Sequence, residues 1–175
     1  MLATGWYMIV FRTLHILAGV AWVGSLFLFL VFVQPSVAAI APAGAPFVAE
    51  LVGRRRLVDR LIGMGVVTVV AGLFLYWHYL DLLGFGDWVS SGFGGTITLG
   101  MVAAIVALSI GIFGTRPTVM RMLALGRQAA ESGGPPSPEI QTEMAAIQGR
   151  LKVFGKTSLV LLVIAVLTMA IGRYV

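Results

Sequence analysis

Thr13 to Val33 carries no charge, and long apolar runs of the same kind, each closed by polar residues, recur three more times along the chain. At 1.5 Å per residue such a run covers the roughly 30 Å hydrocarbon core of a bilayer. Span one is therefore placed at 12–33, ending at Gln34-Pro35, with a tight loop over the small, proline-broken residues 36–45. Pro46 suits the first turn of a new helix. That helix is expected to carry Glu50, Arg54-Arg55-Arg56, Asp59 and Arg60 into span two at 61–80. Residues 81–95, with two acids and five glycines, form the next break, and Trp88 reads as an interface anchor. Span three, 96–114, carries Gly100, Ala104, Ala107, Gly111 and Gly114 at spacings of four and three. Those positions share one helix stripe, where small side chains let a neighbouring backbone approach. A short helix is expected from Arg116-Pro117 to about Ala130, then a linker over 132–138 (SGGPPSP). Ser137-Pro138 has the chemistry of a helix start, leading into span four at 157–172.

The pattern predicts an all-α integral membrane protein, one domain of four antiparallel transmembrane helices. Composition agrees: 59% of the 175 residues are hydrophobic and 11% are charged. The first apolar segment is too long for a signal-peptide core and is expected to stay in the protein. Cysteine is absent, which removes disulfides, thiolate metal sites and cysteine nucleophiles.

The net charge of +5 does not point to nucleic acid, because the basic residues lie between apolar spans. Ten of the twelve Lys and Arg residues fall in the connections 34–60 and 115–156; Arg12 and Arg173 are the other two. The positive-inside rule puts both connections in the cytoplasm and both termini on the outer side.

Candidate chemistry rests on the chain's two histidines, His15 and His78. An imidazole in hydrocarbon is costly without a partner, so each is a site candidate. Counted from Gln34 and Arg60, nineteen and eighteen residues away, both are expected roughly 27–29 Å from the inner interface, level with each other. Two imidazoles at one depth on adjacent helices suit the axial positions of a haem. Gly19 would leave room for the macrocycle, Arg12 would pair with a propionate, and Trp22 shares the His15 face. A zinc site would lack carboxylate or thiolate partners here, and copper(I) has only Met8 and Met169 as thioethers near that depth. The competing reading is that each histidine only hydrogen-bonds a neighbouring carbonyl or hydroxyl.

Residues 12–24, R-T-L-H-I-L-A-G-V-A-W-V-G, with Phe27 and Pro35, resemble a group of small bacterial membrane proteins. The group includes the CopD-like copper-resistance proteins, the HemJ-type protoporphyrinogen oxidases and uncharacterised four-helix relatives. The arginine cluster before span two, Ala71-Gly72 and the closing Met169-Ala-Ile-Gly-Arg-Tyr174 are similar to those relatives. The resemblance implies an all-helical fold in the bacterial cytoplasmic membrane and, from the HemJ-type members, b-type haem with His15 as a ligand candidate. HemJ-type proteins carry a further lysine and histidine in their third helical region. Span three here has neither, so the resemblance extends to haem and not to oxidase chemistry.

Three functions are carried forward. The first is electron transfer near the outer face by haem b held between His15 and His78, passing electrons to a quinone or a partner subunit. The second is a cofactor-free structural subunit of a larger membrane complex, or a homo-oligomer. The third is transport of copper or a small solute, which the absence of a broken span and of an internal repeat disfavours.

Overall fold

The computed structural model describes residues 2–41, 43–131 and 136–175, with side chains from Gly5 onward. Four helices are long and apolar enough to cross a membrane: Gly5–Ala39, Leu57–Leu83, Gly92–Glu131 and Pro138–Tyr174. Among the described residues there is no strand. The four expected spans each lie within one of these helices.

The helix ends differ from expectation. Helix α1 (Leu2–Leu28) does not stop at Gln34-Pro35; it passes through a π-helical turn, Phe29–Val33, into α2 (Gln34–Ala39). The same device recurs where α6 (Gly92–Ser109) passes through Ile110–Thr115 into α7 (Arg116–Glu131). In both places a proline, Pro35 or Pro117, follows the wide turn within two residues. Proline lacks an N–H and its ring strikes the carbonyl one turn back; a wider turn accommodates both, so the helix continues instead of ending.

The second junction differs in the opposite sense. The segment begun by α3 (Ala45–Val48) continues as a π-helical stretch, Ala49–Arg54, and does not run on into span two. Arg56 breaks it, with φ 53° and ψ 44°, a left-handed conformation that costs a side-chain-bearing residue about 1–2 kcal/mol. The break is held by Asp59, in the first turn of α4 (Leu57–Leu83), which accepts from Arg56 Nε at 3.1 Å and from Arg116 Nε at 2.8 Å.

Between α4 and α6 lies a short helix, α5 (Phe85–Ser90). It folds Trp88 inward, so Trp88 is among the largest fully buried side chains described and not an interface anchor. The final helix, α8 (Pro138–Ile171), starts as expected: Ser137 Oγ accepts from Ile140 N, with Pro138 in the first turn. Of the expected linker 132–138, residues 132–135 lie outside the described ones.

Glycine sets the contacts. On α6, Gly100, Ala104 and Ala107 are buried as the stripe requires, and Gly100 lies against Ala165, Thr168 and Met169 of α8. Gly114 meets the Phe154 ring, and Gly155 of α8 meets Leu30 at the end of span one. On the basic side, α7 and the first half of α8 lie side by side. Val119, Leu125 and Ile147 are buried there, as is Val52 of the Ala49–Arg54 turn. Arg121 Nε and Nη2 donate to the two oxygens of Glu143, at 2.6 and 2.9 Å. That guanidinium holds the Glu143 carboxyl below its usual range.

Candidate functional site

The sequence candidates lie along the contact between α1 and α4, and its register decides what they can do. His15 Nδ1 is 2.7 Å from the carbonyl oxygen of Thr68. A carbonyl only accepts, so Nδ1 carries a proton and donates it there. The ring also fills the notch left by Gly72: a Cβ at that position would come within 2.9 Å of Cε1 and Nδ1. One turn on, Gly19 faces the Thr68 methyl, with 3.4 Å to an added Cβ. Thr68 Oγ1 donates back to the Met64 carbonyl at 2.8 Å. Seven residues beyond His15, Trp22 lies against Gly65, where a Cβ would stand 2.9 Å from Cε2 and Cζ2.

These pairs, 15 with 72, 19 with 68 and 22 with 65, advance in opposite directions along the two helices. Bulk on α1 therefore meets glycine on α4, and glycine on α1 meets threonine on α4. Trp22 then continues inward to a buried cluster with Ala107 of α6 and Leu162 of α8, flanked by Leu61 and Met64. It is a core residue of the helix packing and does not flank a ligand slot. Arg12 is exposed, with no ion-pair or hydrogen-bond partner among the described residues.

His78 stands elsewhere. Tyr7 donates its hydroxyl to the Phe74 carbonyl at 2.7 Å, and its ring centroid is 6.0 Å from that of His78. His78 is thus level with Tyr7, eight residues or roughly 12 Å of helix axis from His15. The expectation of equal depth fails because it counted from polar chain ends. Span one continues past Val33 to Ala39, and the register follows the glycine notches instead.

Axial ligands must face one another across one iron. His15 and His78 do not, and the space beside Gly19 where a macrocycle would lie is taken by the Thr68 side chain. The residues named for a shared haem (His15, His78, Arg12, Gly19 and Trp22) do not fit that group in this arrangement. Nor do the described residues bring together three His, Cys, Asp or Glu side chains for a metal ion.

The N-terminal end of α1 and the C-terminal end of α4 carry a feature that span-by-span reading missed. Rings run from Phe74 to Phe11 and Tyr7, with centroid separations of 4.6 and 4.7 Å, then to His78 and on to Tyr79 at 6.0 Å. Tyr79 stacks on Trp88 at 4.9 Å and 8° between planes. Tyr76 and Phe93 meet Trp88 edge-on, and Tyr76 also shares a 2.8 Å hydrogen bond with Thr98 of α6. The Trp88 indole Nε1 is buried without a hydrogen-bond partner. Beside this run lies an open groove of about 360 Å³, lined by Tyr7, Trp77, His78 and Asp81. The signal in the sequence was the density of aromatic residues at 74–79, next to a second aromatic pair at Trp6-Tyr7.

No family model matches the chain, and no curated protein or solved structure matches it either.

Proposed function

We propose that this chain is a four-span protein of the bacterial cytoplasmic membrane, serving as a structural subunit of a larger membrane assembly without a haem between spans one and two. The basic connections lie inside and both termini outside, with the helices as an antiparallel bundle. The observation that carries the reading is the use of His15. The His15 imidazole is bonded through Nδ1 to the Thr68 backbone and seated over Gly72, so it closes the contact between spans one and two. The cytoplasmic segments, packed around Val52, Val119, Leu125 and Ile147, supply an ordered platform for association. Native electrophoresis of membranes dissolved in mild detergent tests this. Migration well above the mass of one copy is expected, and migration as a lone monomer counts against it.

Electron relay near the outer face, to a quinone or partner subunit, is the second reading. Its support is the run of rings from Phe11 through Tyr7, His78 and Tyr79 to Trp88. A Soret band in protein made with ample haem, unaffected by His15→Ala but lost in His78→Ala, would put this reading first.

A further inference from the structure

We infer that the groove between Tyr7, Trp77, His78 and Asp81 binds an alkylammonium group, carried either by a lipid headgroup or by a free solute. Four observations lead there. The groove is roomy, about 360 Å³. Two of its four lining residues are aromatic: the Tyr7 hydroxyl is already bonded to the Phe74 carbonyl, and Trp77 is 70% exposed with no ring neighbour among the described residues. Its one carboxylate is free. The Asp81 carboxylate has no cation or hydrogen-bond partner among the described residues, unlike those of Glu50, Asp59 and Glu143, which arginine holds; the Asp87 carboxylate is likewise without one but does not line the groove. Last, the fourth lining residue, His78, is half-buried against Tyr7 and Tyr79.

A cation over aromatic faces beside a carboxylate is the arrangement that recognises quaternary and alkylated ammonium ions, because ring quadrupole and full charge act together while the methyl groups shed little hydration. Inorganic cations lack that advantage: they need several oxygen ligands, and the groove offers one carboxylate. The groove lies at the end of the apolar span that begins at Leu61, at the depth where lipid headgroups sit. This inference does not depend on the subunit reading, since a lone monomer would still hold the groove.

The test is a tryptophan fluorescence titration of the detergent-purified protein with tetramethylammonium chloride, against sodium chloride at equal ionic strength. A parallel arm compares nanodiscs of phosphatidylcholine with nanodiscs of phosphatidylglycerol. A saturable response to tetramethylammonium assigns a site open to free solute; a response confined to phosphatidylcholine discs assigns the headgroup. In either case Asp81→Asn weakens binding about tenfold, as expected for loss of the charge partner. Both Asp81 and Trp77 are exposed, so the variants keep their helical circular dichroism. Trp77→Phe, followed by saturation-transfer NMR of the ligand, retains most of the affinity and Trp77→Ala does not. Equal responses to sodium and tetramethylammonium together with no preference between the discs, or undiminished binding by Asp81→Asn, would overturn the proposal.

Discussion

His15 occupies the space that a side chain at Gly72 would need, its Cε1 and Nδ1 each 2.9 Å from where a Cβ would stand. The two positions are therefore coupled, and the coupling has a sign that can be measured. In the wild-type background Gly72→Ala must push the imidazole aside and lengthen its 2.7 Å hydrogen bond to Thr68. Overpacking of this kind costs roughly 1–3 kcal/mol, outweighing the gain of about 1 kcal/mol from alanine's helix propensity. In a His15→Ala background the obstruction is gone and only the propensity gain remains. Gly72→Ala is thus expected to lower the melting temperature of the wild type and to raise that of His15→Ala. Thermal unfolding in one detergent over the four-member cycle checks this; the same sign in both backgrounds would remove His15 from the notch.

Part of that contact was legible in the sequence. His15 and Trp22 are seven residues apart on span one, and Gly65 and Gly72 are seven apart on span two. On antiparallel helices the spacings match, large against glycine, and the matching alone sets the register. The sequence reading measured depth from the polar ends instead. That method fails when a proline does not end a helix, as at Pro35, where a π-helical turn lets the helix continue to Ala39. Rotation about a helix axis left no comparable trace. The span positions themselves, the capped start at Ser137 and the small-residue stripe of span three depend only on local pattern, and these were legible. Burial of Trp88 was not, because it depends on how α5 folds back under Tyr79 and Phe93.

The orientation can be read by labelling. The chain has no cysteine, so a single introduced thiol is a clean reporter. Arg127→Cys on α7 and Asp87→Cys on α5 both replace exposed side chains. A membrane-impermeant maleimide added to intact cells is expected to label Asp87→Cys and to label Arg127→Cys only after lysis. The reverse pattern would invert the topology and place the arginine-rich connections outside.

The Arg121–Glu143 pair joins α7 to α8, and its guanidinium depresses the Glu143 pKa. A carboxyl whose folded pKa lies below its unfolded value stabilises the fold above the unfolded pKa, near 4.5 here. That contribution is lost as pH falls through the folded value. Glu143→Gln should therefore melt below the wild type at pH 7. The difference should shrink toward zero as pH is lowered through the depressed folded-state value, below which both proteins carry a neutral side chain. Because the pair is exposed to solvent, the gap at pH 7 should also narrow in high salt. A gap independent of pH would mean that shape, and not charge, ties the two helices.

Trp88 is 1% exposed, stacked on Tyr79 and edge-on to Tyr76 and Phe93. Its bulk and its polarity therefore act in opposite directions. Removing the ring leaves a cavity under α5, and Trp88→Ala is expected to cost about 3–5 kcal/mol. The indole N–H, however, is buried without an acceptor, and an unsatisfied buried donor costs about 1–3 kcal/mol. Phenylalanine keeps the stack on Tyr79 and removes the donor, so the lost area and the relieved penalty largely cancel. Trp88→Phe should accordingly melt within a few degrees of the wild type, while Trp88→Ala falls far below it. Should phenylalanine cost as much as alanine, the indole must be donating to an acceptor in the membrane-inserted protein. A deuterium-sensitive indole N–H frequency in the Raman spectrum, lost in Trp88→Phe, would then report that bond directly.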